Sequence, residues 1–291
     1  MTRALRAVAA AGAGLAVSLV GCSEPPAVEV AGDPFESARL AMAAELGRGY
    51  AVEVVRPFVV ATSLDPAGRA RVRESIFTAY YNAICDDFLK TRPSSPIRAY
   101  LFTSDREYRR WAGKLWGDDP QTPYGYYKTT ERALIINIAR GGGALVHEMT
   151  HALVEADFPE IPAWFNESLG SLYEDSRVKD GRIMGIMNWR YPRLAKAIKT
   201  GKVIPLAEIA AQTDREFYSP EDRGLRYAEV RYFAMYMEER GLLRKFYHAF
   251  RDGHEDDPTG RKTLEEIFGK PLPEIEKEWL AWAAGLQWPG R

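Results

Sequence analysis

The feature that most limits the fold of this 291-residue chain is a pair of histidines four positions apart, His147 and His151. They follow a glycine run at 141–143, and apolar residues flank them on both sides, which predicts a largely buried helix. Side chains at i and i+4 project from one helix face, so both imidazoles can reach one ion. Glu148 is offset by about 100° around the helix, so its carboxylate can reach a metal-bound water without ligating the metal. The pattern predicts a zinc site with His147 and His151 as ligands and Glu148 as catalytic base.

A catalytic zinc needs a third protein ligand and an open fourth position. The segment 162–174 reads Pro-Ala-Trp-Phe-Asn-Glu-Ser-Leu-Gly-Ser-Leu-Tyr-Glu. It resembles the W-[LF]-N-E-G-[FL]-A-x-x-x-E segment of the gluzincins, notably the aminopeptidase N-like enzymes, and this resemblance implies that Glu167 is the third ligand. Ser168 departs from the family, which usually has glycine there. A metzincin is excluded, because its pattern needs Gly and His where this chain has Glu155 and Phe158.

The same resemblance implies two supporting residues. Glu174 matches the acid that closes the family segment and would steady a ligand histidine through its ring N–H, although a solvent-exposed helix acid is the alternative. Tyr227 opens a segment similar to the one that begins with the catalytic tyrosine of the aminopeptidases, and it would donate a hydrogen bond to the oxyanion. The alternative donors are Tyr218, Tyr232, His248 and His254.

The body from Tyr50 to Trp282 resembles the peptidase MA-like gluzincins, which are related to the aminopeptidase N-like and thermolysin-like zincins. This implies a zincin-like α+β fold: a mixed α/β N-terminal half with a small sheet, and an all-helical C-terminal subdomain. Hydrophobic patterning predicts strands at Tyr50–Ala61, Ile97–Phe102, Gly125–Lys128 and Ala133–Ile138. The resemblance also implies that Ala133–Ile138 is an exposed edge along which substrate backbone can pair.

Helical spacing is found in both halves, with Asp65-Pro66 and Ser104 as N-terminal signals. In the N-terminal half, helices are predicted near Ser37–Leu46, at Asp65–Leu89 and Ser104–Leu115, and over the histidine motif. In the C-terminal half they are predicted at Asn166–Glu174, Tyr191–Lys199, Leu206–Ala211, Pro220–Arg240, Leu242–Gly253, Leu264–Phe268 and Leu272–Ala284.

The N-terminus has the pattern of an export signal. Residues 1–21 combine a short basic start with a small, apolar run too short to span a membrane, and they end in Leu-Val-Gly before Cys22. This resembles a bacterial lipobox, which implies acylation of Cys22 and a lipid-anchored protein at the periplasmic face of a bacterial membrane. Ser23 after Cys22 resembles an outer-membrane sorting position. A plain secretory signal or an N-terminal anchor are the alternatives.

These features predict four segments: a lipoprotein signal peptide at 1–21, a flexible tether at 22–34, the zincin-like part with the metal site at 35–175, and the helical subdomain at 176–291. The 39 basic and 40 acidic residues nearly balance, which gives no nucleic-acid footprint. Cys85 is the other cysteine, and its helical, apolar surroundings indicate a buried core thiol rather than a nucleophile.

The predicted function is zinc-dependent hydrolysis of peptide bonds in a peptide or protein substrate, with one Zn²⁺ per chain and Glu148 as the general base. The aminopeptidase G-A-M-E-N segment is not visible ahead of His147, which argues against aminopeptidase action. Three alternatives stay open: an inactive zincin-fold binding or chaperone-like lipoprotein, a zinc hydrolase of another amide or ester such as a cell-wall cross-link, and a structural helical domain with a fortuitous histidine pattern.

Overall fold

A computed structural model describes residues 32–290, and its helices and strands make an α+β fold. The strands are β1 (Ala51–Val55), β2 (Phe58–Thr62), β3 (Ile97–Phe102), β4 (Gly125–Lys128), β5 (Ala133–Asn137), β6 (Ser176–Lys179) and β7 (Arg182–Gly185). The helices of the first half are α1 (Pro34–Leu46), α2 (Pro66–Val72), α3 (Ala79–Phe88), α4 (Asp105–Trp116), α5 (Gly143–Val154) and α6 (Ala163–Tyr173). Those of the second half are α7 (Tyr191–Thr200), α8 (Leu206–Ala211), α9 (Asp214–Phe217), α10 (Arg223–Glu239), α11 (Leu243–Gly253), α12 (Arg261–Phe268) and α13 (Leu272–Ala284).

The main sheet has five strands in the order β1-β2-β3-β5-β4, with β2, β3 and β5 parallel and the two outer strands antiparallel to their neighbours. Along each inner strand, alternate side chains enter opposite cores: Leu134 and Ile136 face the larger core, whereas Ala133 and Ile135 pack in the smaller core that also contains residues of α1 and α4. The inner strands are therefore buried on both faces, which explains their continuous apolar sequences.

Two strand predictions are corrected by this topology. The segment predicted as one strand at Tyr50–Ala61 is the hairpin β1–β2, because the chain turns at Arg56-Pro57. The expected edge strand, Ala133–Ile138, is instead an inner strand, since β4 pairs with its outer side. The edge strand next to helix α5, which carries His147 and His151, is therefore β4. The predictions for Ile97–Phe102 and Gly125–Lys128 are confirmed residue for residue.

The C-terminal half is not all-helical as predicted, because β6 and β7 form an antiparallel hairpin directly after α6. Its strands are short, and only Ile183 is buried, so they lack the apolar runs that mark β2 and β3. Asp180 and Gly181 both have positive φ at the turn, which suits the two-residue connection of a hairpin. The predicted helices of this half are confirmed, with end shifts such as Arg223–Glu239 for Pro220–Arg240.

The predicted helix at Asp65–Leu89 is present, but a π-helical segment at Arg73–Thr78 interrupts it between α2 and α3. Asp65 caps this helix by accepting the Gly68 N–H, as its sequence signal indicates. The larger core extends from Phe58 to Ala283, so the predicted parts 35–175 and 176–291 share it.

The predicted signal peptide, the lipidation site Cys22 and residues 22–31 of the predicted tether lie outside the described residues. Within residues 32–290, no helix is both long enough and apolar enough to cross a membrane. Cys85 is buried as predicted, and burial raises the pKa of its thiol to about 11, so the thiol is protonated at neutral pH.

Candidate metal centre

The histidine helix α5 forms the floor of an open cleft of about 910 Å³. The edge strand β4 lines one side, and the loop after β7 and the start of α10 line others. Helix α5 begins at Gly143, where a Cβ would lie 2.5 Å from the carbonyl oxygen of Glu174. Gly142 meets Ile76 of the π-helical segment in the same way, at 2.8 Å. The glycine run thus lets the start of α5 pack closely against its neighbours.

His147 and His151 lie one turn apart on α5, and both are buried, with 8% of the surface of each residue exposed. Their ring centroids are 4.7 Å apart with an interplanar angle of 84°, so the rings do not stack on each other. Two imidazoles in this relation can offer one nitrogen each to the same point in space.

Glu167 of α6 meets both rings. Its Oε2 lies 3.2 Å from Nε2 of His147 and 3.7 Å from Nε2 of His151. Ligand atoms around a tetrahedral ion with bonds of about 2.0–2.1 Å are roughly 3.3–3.4 Å apart, so these spacings match one coordination shell. Glu167 Oε2 is also fully buried and has no hydrogen-bond donor within residues 32–290. A buried carboxylate oxygen without a donor is costly, and a bound cation would satisfy it.

The outer ring nitrogens are held by other side chains. His147 Nδ1 lies 3.4 Å from Glu174 Oε2, and His151 Nδ1 lies 2.9 Å from Asn166 Oδ1. Glu174 is fixed in turn by a two-pronged contact with the Arg190 guanidinium, at 2.8 and 3.0 Å, and by the Asn188 amide at 2.9 Å. Both imidazoles are thus oriented with Nε2 toward Glu167.

The electrostatics of the centre favour positive charge. Burial alone would lower the pKa of His147, but the carboxylates of Glu167 and Glu174 raise it to about 10. Burial would raise the pKa of Glu167, but His151 and His147 lower it to about 2. Burial opposes ionisation of Glu174 as well, yet contacts with His147 and Arg190 lower its pKa to about 2. Two ionised carboxylates therefore flank one imidazole, which is a suitable environment for a cation.

Glu148 faces the same point from α5. Ligand atoms of His147, Glu148 and His151 all lie within 4.8 Å of one another, so this group could hold a metal ion. Glu148 Oε2 accepts a hydrogen bond of 2.9 Å from the backbone N–H of Tyr127 in β4. The Tyr127 hydroxyl also donates to Glu155, two turns further along α5. The edge strand is thereby fastened to the histidine helix at two places, one of them the proposed base.

The structure brings two of the candidate hydrogen-bond donors into the cleft, Tyr218 and Tyr227. The Tyr218 hydroxyl donates to Glu167 Oε1 at 2.9 Å, and Tyr227 lies beneath the Arg190 guanidinium. Burial and the charge of Glu167 raise the pKa of both phenols, so both stay protonated and can donate.

The other three candidate donors are engaged elsewhere. Tyr232 is fully buried, and its hydroxyl bonds to the backbone of Asn188. His254 packs between the rings of Phe158 and Phe250. His248 does not line the cleft.

Several residues of the site were not identified from the sequence. Asn166, Asn188 and Arg190 hold the outer side of the histidines and Glu174, and Arg190 follows the hairpin β6–β7, which was itself not predicted. Gly170 on α6 is another, because a Cβ there would lie 2.8 Å from Cε1 of His151 and 3.0 Å from Nε2 of His147. Asn166 had a visible signal, since it directly precedes Glu167.

Ser168, which stands where the gluzincin segment usually has glycine, forms a hydrogen bond within its own helix. The hydroxyl donates to the Phe165 carbonyl of its own helix at 2.7 Å. The close approach of α6 to the imidazoles is instead provided by Gly170.

The donor set is two imidazole nitrogens and one carboxylate oxygen, with a second carboxylate facing the same point and an open cleft above it. Three converging protein donors with free space on the fourth side are the arrangement of a catalytic metal site. No family model matches the chain, and a search of curated proteins finds no match to its sequence.

Proposed function

We propose that the chain is a zinc metallopeptidase of the gluzincin type, with a zincin-like fold, in which His147, His151 and Glu167 hold one Zn²⁺. The observation that carries the proposal is the position of Glu167 Oε2, which is buried without a hydrogen-bond donor among residues 32–290 and lies within 3.7 Å of both imidazole Nε2 atoms. The donor chemistry favours zinc, since imidazole suits this ion and hard cations such as Mg²⁺ and Ca²⁺ prefer oxygen ligands alone.

The remaining groups of the cleft support hydrolysis. Zn²⁺ bound at this position would polarise the scissile carbonyl and lower the pKa of the attacking water. Glu148 would accept the proton of that water and deliver it to the leaving amine. Tyr227 would donate a hydrogen bond to the oxygen that becomes negative, and its raised pKa keeps it a donor over the physiological range.

The shape of the cleft supports a peptide or protein as substrate. Its outer wall is the edge strand β4, which pairs with β5 on one side only within the five-stranded sheet. An extended peptide could add to the free side by backbone hydrogen bonds. The volume of about 910 Å³ lies at the upper end of ordinary ligand pockets, which suits several residues of an extended chain.

We also propose that the protein is exported and is held at the periplasmic face of a bacterial membrane by lipid on Cys22. The basis is the sequence at residues 1–22, which resembles a lipobox-bearing signal peptide. Mass spectrometry of the membrane-extracted protein would test it, with a diacylglyceryl-modified Cys22 as the N-terminal residue expected and an unmodified N-terminus contradicting it.

Metal content tests the proposed centre directly. The purified protein should contain close to one zinc per chain by elemental mass spectrometry, and Glu167→Ala should lose most of it because only two ligands remain. Glu160→Ala is the matched control, since Glu160 is an exposed acid in the connection between α5 and α6. An intact protein that holds no zinc even after reconstitution would overturn the proposal.

Turnover tests the role of Glu148. Glu148→Gln should retain zinc but lose roughly 100- to 10,000-fold in the rate of cleavage of a quenched fluorescent peptide library, because a positioned general base contributes about that much. Wild-type activity in this variant would remove Glu148 from the mechanism. A zinc-loaded wild-type protein that cleaves no peptide would direct the search to other amides or esters.

A further inference from the structure

The two carboxylate oxygens of Glu167 have different surroundings. Oε2 faces the two imidazoles, whereas Oε1 accepts a 2.9 Å hydrogen bond from the Tyr218 hydroxyl. A carboxylate can ligate a metal ion through one oxygen or through both. The hydrogen bond from Tyr218 therefore affects which carboxylate oxygen of Glu167 is available to a metal ion.

The backbone around Tyr218 is held on both sides by a single side chain. The Arg226 guanidinium donates to the Phe217 carbonyl at 2.8 Å and to the Ser219 carbonyl at 2.6 Å, the two residues that flank Tyr218. Arg226 is itself buried, and so is the Phe217 ring. Contacts of this kind fix a loop residue far more firmly than its own half-exposed side chain could.

The preceding short helix α9 adds to this restraint. Thr213 and Glu216 form a reciprocal capping box at its start, so the turn that leads into Tyr218 has its own hydrogen bonds. The chain therefore reaches Tyr218 from an ordered turn and leaves it through a residue bound to Arg226.

We propose that Tyr218 is a positioning residue for the metal centre, and that Arg226 positions Tyr218. This inference rests on the zinc site of the proposed function and deepens it. The Tyr218 hydroxyl engages Oε1, so Glu167 would offer Oε2 alone to an ion, and a fourth coordination position would stay free for water and substrate. The role of donor to the substrate stays with Tyr227, as proposed above.

Zinc affinity of the variant Tyr218→Phe tests this inference, because only the hydroxyl is removed. The dissociation constant, measured by competition with a chelator of known affinity, should rise roughly 10- to 100-fold, the usual effect of losing a group that orients a ligand. The matched control is Tyr124→Phe, whose hydroxyl lies in the same cleft without a hydrogen-bond partner among the described residues. This control should bind zinc as the wild type does.

The cobalt-substituted protein gives a readout that a merely structural role would not change. With Co²⁺ in the site, the visible d–d bands are strong for four ligands and weaken when a fifth binds. In Tyr218→Phe, Glu167 is free to bind through both oxygens, so the bands should weaken relative to wild type and to Tyr124→Phe.

The variant Arg226→Met tests whether Arg226 positions Tyr218, because methionine keeps much of the apolar stem of arginine and lacks its N–H donors. It should weaken zinc binding in the wild-type background but add little in the Tyr218→Phe background, because it acts through the same hydroxyl. Equal effects in both backgrounds would overturn the role of Arg226.

Zinc binding by the wild-type protein separates the role of Tyr218 from the existence of the zinc site. A wild-type protein that binds zinc, together with a Tyr218→Phe variant of equal affinity and unchanged cobalt spectrum, would overturn the role of Tyr218 and leave the zinc site standing. A wild-type protein that binds neither ion would overturn both.

Discussion

At the scale of single residues, the centre depends on how closely α6 can approach the two imidazoles. Gly170 lies one turn after Glu167 and faces the rings of His147 and His151. Its φ is not in the left-handed region, so backbone freedom is not the reason for glycine here. The reason is space, since any Cβ would meet both rings at 3.0 Å or less.

Gly170→Ala should therefore damage the proposed metal centre without unfolding the protein. The added methyl must push the rings or α6 aside, which costs about 1–3 kcal/mol in a packed interior and should lower zinc affinity by at least roughly tenfold. Ser171→Ala is the control, because the neighbouring Ser171 hydroxyl is buried without a partner in the described part of the chain. Zinc titration and a thermal melt would check this, and full zinc affinity in Gly170→Ala would contradict it.

The residues of the centre differ in how far the sequence could predict them. His147, Glu148 and His151 follow from helical spacing alone, because i and i+4 positions share a face in any fold. Glu167 needed a resemblance, since nothing local indicates that α6 returns to α5. Arg190 and Tyr218 reach the site from loops, and their arrival depends on packing among α7, α9 and α10 that has no local sequence signature.

At the scale of elements, α10 joins the cleft to the core. Tyr227 at its start lines the cleft, and the carboxylate of Glu238 near its end accepts from Gly185 N–H at 2.8 Å and from the Tyr173 hydroxyl at 3.1 Å. Between them, the fully buried Arg231 donates to the Ile186 carbonyl at 2.5 Å. Polar residues of α10 therefore help to hold the hairpin β6–β7 and the residue that follows it.

Glu229 on α10 should make stability fall as pH rises. It is fully buried, and burial together with the charges of Glu276, Asp222 and Glu208 raises its pKa to about 8. The unfolded value is about 4.3, so the folded chain keeps a proton that the unfolded chain has lost. Its contribution is fully present below about pH 4 and is lost as pH rises to about 8, at up to about 1.4 kcal/mol per pH unit.

Glu229→Gln should remove this dependence. The amide oxygen can still accept the Ile204 N–H, which Glu229 accepts at 2.9 Å, and no proton has to be held. Thermal melts from pH 5 to pH 9 should show a gain in melting temperature over wild type that grows with pH. Glu221→Gln, an exposed acid just before α10, should follow the wild-type curve. Parallel curves for wild type and Glu229→Gln would contradict the expected raised pKa.

Elements were predicted correctly where burial leaves a clear apolar pattern in the sequence, and they were missed where it does not. The inner strands β3 and β5 have apolar residues on both faces, and helices such as α7 and α11 have one apolar face, so their sequences reveal them. The strands β6 and β7 have one buried residue, Ile183, and polar groups of α3 and α10 also hold them, so the sequence carries no comparable signal. The sequence of β5 does not indicate whether this strand lies inside the sheet or at its edge. That depends on which other strands pair with it.

At the scale of the whole molecule, Asp157 connects parts that are distant in sequence. Its carboxylate accepts the backbone N–H groups of Lys90 and Thr91, at 2.9 and 2.6 Å, in the loop after α3. It also accepts from Tyr247 and Arg251 of α11, at 3.0 and 2.6 Å. Its side chain is 1% exposed, so four donors meet one buried charge just beyond α5.

Asp157→Ala should therefore destabilise the entire fold. Removing one partner of a buried ion pair costs about 3–5 kcal/mol, since the Arg251 guanidinium keeps only its exposed partner and the two amide donors lose their acceptor. Asp252→Ala is the matched control, because Asp252 also pairs with Arg251 but is 58% exposed, and a surface pair contributes about 1 kcal/mol or less. Urea unfolding of the two variants would separate them, and equal midpoints would contradict the structural role of Asp157.

The three proposed ligands all fall within residues 147–167, on the successive helices α5 and α6. Glu167 lies 20 positions after His147, whereas the paired residues of β2 and β3 lie 39 positions apart. The entropy lost in closing a chain segment rises slowly with its length, so bringing the proposed ligands together costs an open chain about 0.6 kcal/mol less than pairing β2 with β3. The helix pair is thus a local unit of low contact order inside a fold whose sheet is built from distant segments. An ion that bridges α5 and α6 would hold the two helices together independently of the pairing of the strands.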